Sequence, residues 1–397
     1  MFRSCARAAA GIIALTLAQP ASASAQPRPP LKVGIIFSYS GTKGATAWGG
    51  RSLDAVVAAF RKKYGDKVAG REVQVITRDD TGIAPETARR LAQELIVQDN
   101  VDVLAGITVT PNAIAVADVS TRAKKPFFLF SAATSGIIAN APYTTRWGHT
   151  NTQITAPLAH WAVKSGIKTA YALYQDYGPG IDAGKTFERI FTAGGGKLLG
   201  EVRIPVGSKE FSAYVQRVKD ARPEAIFVYL NPASNPQEFI RECADAGFAK
   251  AGIKILATGE MVDENILTSM GDSALGIISS YEYSQAHDSP MNKDFVRMFL
   301  AADSAHERPD FGDVAEWDAL TAIYRAADQQ HGELDPDKTL ALLKGMHFES
   351  PRGQITIDPN TREITQTIYI RRVERRNGVL ENVEIATYPN VDAAGRP

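Results

Sequence analysis

The 397-residue chain reads as an α/β protein built on mostly parallel sheets, arranged in two halves. Three observations predict this. Apolar runs alternate with amphipathic helical stretches along nearly the whole chain. The strand-like runs are continuously apolar instead of alternating, which is how strands buried on both faces of a parallel sheet read. The alternation is interrupted by a polar and aromatic connection, NAPYTTRWGHTNTQ, and resumes near Lys168.

In the first series, strands are expected at Leu31–Phe37, Glu72–Thr77, Val101–Ala105 and Pro126–Phe130. Helical patterns lie between them at Gly49–Tyr64, Ala84–Gln98 and Pro111–Ala123. The second series places strands at Lys168–Tyr174, Lys197–Ile204, Ala225–Leu230, Lys254–Ala257 and Gly276–Tyr281. Its helices are Ile154–Ser165, Gly180–Ala193, Phe211–Ala221 and Pro236–Ala246. Such alternation implies right-handed βαβ units. After Tyr281 the chain turns mostly helical, at Met291–Ala302, Asp313–Gln329 and Pro336–Leu343, and ends in strands Gly353–Ile357 and Thr365–Val373. These last elements must dock back onto the two halves, so each half is expected to be discontinuous. Asp358-Pro359-Asn360-Thr361-Arg362 reads as the turn between the terminal strands.

The first residues carry an export signal. Arg3 and Arg7 precede the apolar stretch at 8–18, and Ala23-Ser24-Ala25 offers small residues for cleavage near Ala25. The stretch is too short for a membrane span. A hydrophobic content of 44% and a charged content of 22% suit a soluble globular protein. Basic and acidic residues balance at 44 each, which gives no basic excess for nucleic acid. Of two cysteines, Cys5 falls within the signal, leaving Cys243 as a small buried thiol and no internal disulfide.

In open α/β sheets, ligands bind beyond the carboxyl ends of the strands, so the loops there are the candidate site. After the first strand come Ser38, Tyr39 and, further on, Trp48, small residues plus a flat aromatic face that favour ligand contact over a plain turn with Trp48 in packing. After the third comes GITVTPNA, in which Pro111 suits the first helical turn and Thr110 the N-cap, with free N–H groups for a carboxylate. Ser131, Ala132 and Thr134 follow the fourth strand with hydroxyls and amides. In the second half Tyr177 could cover a ligand, and Asn231 and Glu260 end later strands. Glu260 stands where a ligand ammonium or hydroxyl could be met, or is a solvated surface carboxylate.

Catalytic signatures are missing: there is no GxSxG, no HExxH and no GxxxxGK[ST], and no GxGxxG follows the first strand. The six histidines are scattered without ligand spacing, so neither metal nor cofactor is expected. Asp79-Asp80 reads as turn chemistry. An enzyme is therefore not expected.

Together KVGIIFSYSGTKGATAWGG, REVQVITRDDTGIAPETARRLAQELI, VDVLAGITVTPNAIAVADV, PFFLFSAAT, DYGPGIDAGKTF and SPRGQITIDPNTREITQTIYIRRV resemble the periplasmic solute-binding proteins of ABC importers, in the branched-chain amino acid (Leu/Ile/Val) receptor family. The resemblance implies a two-lobed type I fold, each lobe a mostly parallel sheet flanked by helices, with three hinge crossings. It implies lobes of 31–149 plus 281–350 and of 150–280 plus 351–393. By the same resemblance, Thr110, Ala132 and Thr134 look like a carboxylate site, Trp48 like a pocket aromatic, Tyr177 like an aromatic cover, and Glu260, with Asn231 nearby, like the acid that meets an α-ammonium. The chain is also similar to the branch associated with aromatic carboxylates such as hydroxybenzoates. The implied function is capture of a small carboxylate, an aromatic acid or a hydrophobic amino acid, and delivery to an inner-membrane permease. A periplasmic sensor with the same clamp is the alternative. A monomer is expected.

Overall fold

The computed structural model describes residues 1, 28–40, 53–231, 234–302 and 308–397. The expected signal and its cleavage site, the start of the first expected helix and Trp48 lie outside the described residues. The first series forms β1 (Leu31–Phe37), α1 (Leu53–Tyr64), β2 (Lys67–Val68), β3 (Arg71–Asp79), α2 (Pro85–Val97), β4 (Val103–Gly106), α3 (Thr110–Ala123), β5 (Phe127–Leu129) and β6 (Thr144–Arg146). The second forms α4 (Asn151–Lys164), β7 (Thr169–Gln175), α5 (Gly178–Ala193), β8 (Lys197–Ile204), α6 (Ser212–Ala221), β9 (Ala225–Tyr229), α7 (Pro236–Asp245), β10 (Lys254–Thr258), α8 (Glu264–Met270) and β11 (Ile278–Tyr281). The tail adds α9 (Pro290–Ala302), α10 (Phe311–Gln329), α11 (Pro336–Leu343), β12 (His347–Ser350), β13 (Gly353–Ile357), β14 (Ile364–Arg376) and β15 (Val379–Val391).

Two sheets result. The smaller runs β2-β3-β1-β4-β5-β6, parallel except for the short β2. The larger runs β12-β13-β14-β11-β10-β9-β7-β8, with β15 on β14; its β11-β10-β9-β7-β8 part is parallel and its terminal strands are antiparallel. Successive side chains on a strand point to opposite faces, and here both faces are buried. Val33, Ile35 and Phe37 of β1 enter one core with α1, α9 and α10, whereas Ile36 enters another beneath α2 and α3. In β7, Tyr171 and Leu173 face one core and Ala170, Ala172 and Tyr174 the other. This explains why the strands read as continuous apolar runs.

In each sheet the chain starts in the middle and winds outwards both ways. β1 lies between β3 and β4, and β7 between β8 and β9. That reversal opens a crevice at the carboxyl ends of the central strands. The chain passes between the two units three times: after β6, after β11 and after α11. The expected division at residues 350 and 351 falls between the paired strands β12 and β13, and Phe348 of β12 packs with Trp147 and Trp317 on the first unit's side. Asp358 forms the expected terminal turn, its Oδ1 accepting from the Asn360 and Thr361 N–H groups. Cys243 is buried and free, and burial pushes its thiol far up. Among the described residues no helix is long and apolar enough to cross a membrane.

Candidate functional site

The loops after β4 and β5 form one wall of a cleft between the two units. Gly106 ends β4 at φ 104°, and a Cβ there would lie 2.2 Å from the Ile36 carbonyl oxygen, so no side chain fits. This tight turn delivers Thr108 to the cleft. The N-cap of α3 is Val109, extended, with Thr110 already the first helical residue and no side-chain cap. The expected capping role of Thr110 is thus corrected. Its hydroxyl meets the Thr134 hydroxyl at 2.9 Å instead of turning back on its own helix.

The β5 loop is shaped by Arg146, a residue the sequence reading did not single out. Its guanidinium donates to the carbonyls of Ala132, Thr134 (3.0 Å) and His149 (3.2 Å), and its Nε to Glu363 at 2.6 Å. Arg146 is 1% exposed, so these contacts have no competition from water. Ser38 donates to Asp80 at 2.7 Å, and Asn112 donates to the other oxygen of Asp80 at 2.8 Å. Tyr39 donates its N–H to Asp79 and packs edge-on against Phe37. Asp79 and Asp80 also receive the Thr81 and Gly82 N–H groups, which is turn chemistry as expected.

The second unit supplies the opposite wall. Tyr177 and Tyr229 pair through their hydroxyls at 2.8 Å, and the Asn231 amide donates to Tyr177 at 3.0 Å. Enclosure of the phenol pushes Tyr177 up to about 12, so it stays neutral. Gly178 opens α5 directly against the first wall; a Cβ there would sit 2.7 Å from the Thr134 hydroxyl. Glu260 sits in a single helical turn after β10 and is 1% exposed, which rules out a solvated carboxylate.

Thr108, Val109, Thr110, Ser131, Ala133, Tyr177, Pro179, Tyr229, Asn231 and Glu260 line this cleft. Of the expected residues, Thr110, Ser131, Tyr177, Asn231 and Glu260 come together there. Ala132 and Thr134 lie beside it in the β5 loop; Ser38 and Tyr39 bond to Asp80 and Asp79. The cleft is tight, leaving about 10 Å³ for the centre of a water-sized sphere. Three buried polar atoms lining it have no hydrogen-bond partner: Thr108 Oγ1, Ser131 Oγ and Glu260 Oε2. Orphaned polar atoms are costly to bury, and three in one cleft make it the candidate ligand site. A wider hollow, about 660 Å³, opens near Thr152, Arg362 and Asp392. Its polar groups already bond one another, as in Asp392 with Arg396, and among the described residues it has no orphaned buried atom.

His149 and Glu282 complete the site and were also missed. His149 Nε2 lies 3.1 Å from Glu260 Oε1 and Nδ1 lies 2.7 Å from Glu282 Oε1. Burial pulls the imidazole pKa down, but the two carboxylates outweigh it and hold it up at about 9. The one available signal was an Arg and a His within the short connection RWGHT.

With this geometry, comparison with known proteins is decisive. Residues 30–378 match the model of a family described as periplasmic binding protein. The chain belongs to the periplasmic binding protein family. This binding protein is 35% identical to Leu/Ile/Val-binding protein homolog 6 of Brucella melitensis, over 92% of its own length and 94% of the relative's. It is 41% identical to a solute binding protein of an ABC transporter from Rhodopseudomonas palustris BisB5, solved in complex with 3,4-dihydroxy benzoic acid; the match covers 91% of this chain and 98% of the other, with a TM-score of 0.85. A second such protein, from the HaA2 strain, was solved with p-hydroxybenzoic acid. It is 37% identical over 91% of this chain and 98% of its own, with a TM-score of 0.87. The family and these relatives are solute-binding proteins, not enzymes, and the type I fold of mostly parallel sheets flanked by helices is common to them.

Proposed function

We propose that this protein is the solute-binding component of an ABC importer and captures a small aromatic carboxylate of the hydroxybenzoate type. One observation carries the ligand class. The three orphaned atoms comprise two hydroxyls on the wall formed by the first unit and one carboxylate oxygen on the other. Two hydroxyl donors suit a carboxylate, and one free carboxylate oxygen suits a single donor at the ligand's other end. A ring with a carboxylate and a hydroxyl at opposite ends meets that pattern. The ligands of the two R. palustris relatives support it. A hydrophobic amino acid is the second reading, favoured by the Leu/Ile/Val-binding relative.

In this reading the lobes are 31–149 with 281–350 and 150–280 with 351–393, and the site residues are those gathered in the cleft, with Ala132 and Thr134 shaping the carboxylate end. A benzoate-sized ring far exceeds the room present in the cleft, so the ligand enters when the lobes part and is enclosed when they meet. Cleavage near Ala25 releases the mature protein to the periplasm, where it delivers ligand to a permease as a monomer. Its relatives from R. palustris are ABC transporter proteins, which favours delivery over signalling to a receptor.

A thermal-shift panel tests the ligand class. A ligand that binds only the folded state adds about 2.7 kcal/mol at a hundredfold excess over Kd. Hydroxybenzoates are expected to raise the melting temperature and leucine is not. A shift with leucine and none with aromatic acids would overturn the reading in favour of the amino acid.

A further inference from the structure

We infer that His149 is the positioning residue that sets ligand specificity at Glu260: held as a cation between Glu282 and Glu260, it occupies one Glu260 oxygen and leaves the other to accept from one neutral hydroxyl of the ligand. This role rests on the cleft being an aromatic-carboxylate site.

The geometry fixes the charge. Both ring nitrogens face carboxylate oxygens, at 3.1 Å and 2.7 Å. An ionised carboxylate only accepts, so both nitrogens meet it only as N–H donors, in the imidazolium form. The side chains of His149, Glu260 and Glu282 are 1%, 2% and 0% exposed, so water replaces neither contact. Attraction to His149 also brings Glu282 below the usual carboxylate range despite burial. The surroundings do not compete. Tyr281 and Phe311 pack their rings on His149 at 5.3 Å and 5.5 Å, and burial keeps the Tyr281 phenol neutral. Asp310, at the start of the Phe311 helix, and Asp263, which acts on Tyr281, are pushed far up by burial. The nearby cations are already engaged: Arg146 on the His149 carbonyl, Arg352 on Asp318, and Arg371 on Ser279 and over the Tyr281 ring. Among the described residues no group of His, Cys, Asp and Glu is arranged to hold a metal.

The consequence is a choice between ligand ends. An ammonium would bring a full charge and three N–H donors to a carboxylate already paired with a cation and offering one oxygen. A phenolic hydroxyl brings one donor and no charge. The pairing also reaches the hinges: His149 lies in the first crossing and Glu282 in the second, and Arg352, in the turn between β12 and β13, donates to the Trp147 carbonyl.

The test compares 4-hydroxybenzoate with benzoate, which lacks only the hydroxyl, by calorimetry on the mature protein and on His149→Gln. The native protein is expected to prefer 4-hydroxybenzoate roughly tenfold to a hundredfold. That ratio should stay flat between about pH 6 and pH 8, because the imidazole keeps its proton. In His149→Gln the ratio should fall at least about fivefold. Benzoate affinity and melting temperature report separately on the carboxylate end and the fold. Histidine-selective NMR reads the charge without any ligand: one resonance, missing in His149→Gln, should titrate near 9 and move down in Glu282→Gln. An unchanged ratio in His149→Gln, or a native imidazole that loses its proton below about pH 7, would overturn the proposal. If the native protein bound neither acid, the specificity role would fall together with the cleft reading. An NMR titration still near 9 would then trace that failure to the ligand class and not to the His149 clamp.

Discussion

Thr108 and Ser131 present buried hydroxyls with nothing to bond. A hydrogen bond to a charged group contributes about 1.5–3 kcal/mol. Thr108→Ala and Ser131→Ala are therefore each expected to weaken a carboxylate ligand roughly tenfold, read by calorimetry, without loss of melting temperature. Glu260→Gln tests the acceptor directly. His149 takes the one amide oxygen that remains, so 4-hydroxybenzoate is expected to lose its partner and weaken while benzoate, which has no hydroxyl, is unaffected. Most of the cleft was legible, because it lies where strand ends enter helices, and Thr110, Ser131, Tyr177, Asn231 and Glu260 all stood in such loops. Thr108 was passed over beside the better capping candidate Thr110. His149, Glu282 and Arg146 act through partners far away in sequence. Glu282 is 133 residues from His149, and Glu363 is 217 from Arg146. No local pattern encodes such pairings.

At the level of elements, periodicity located the buried strands, and β1, β8 and β13 begin and end where their apolar runs do. β15 escaped because, among the described residues, it pairs only with β14 and interleaves Glu381, Asn382 and Glu384 with its apolar residues. β2 and β6 are too short to show a period. The meeting of α5 with the β5 loop brings the two walls together, and Gly178→Ala tests it. The added methyl would press on Thr134, so ligand affinity is expected to drop several-fold while the melting temperature barely moves. The β5 loop itself hangs on Arg146. Breaking a buried ion pair from one side costs about 3–5 kcal/mol, so Arg146→Ala should lower the unfolding midpoint in urea sharply and abolish ligand binding with it.

Over the whole molecule, the first two crossings meet at a buried cation, His149 against Glu282, and this links stability to pH. The His149 pKa is raised from 6.5 in the free side chain to about 9 in the folded protein. Its contribution is therefore fully present below 6.5 and is lost as pH rises through about 9. Urea unfolding should show stability falling across that window, by on the order of 3 kcal/mol, and His149→Gln should remove most of the slope. A clamp with a locked hinge centre and a tight cleft leaves ligand capture as the claim on which the rest depends. The most direct measurement is a calorimetric titration of 4-hydroxybenzoate into the ligand-stripped mature protein and into its Thr108→Ala/Ser131→Ala variant. Saturable one-to-one binding by the native protein, weakened roughly a hundredfold in the variant, is the expected result. No binding by the native protein, or equal binding by both, would contradict it.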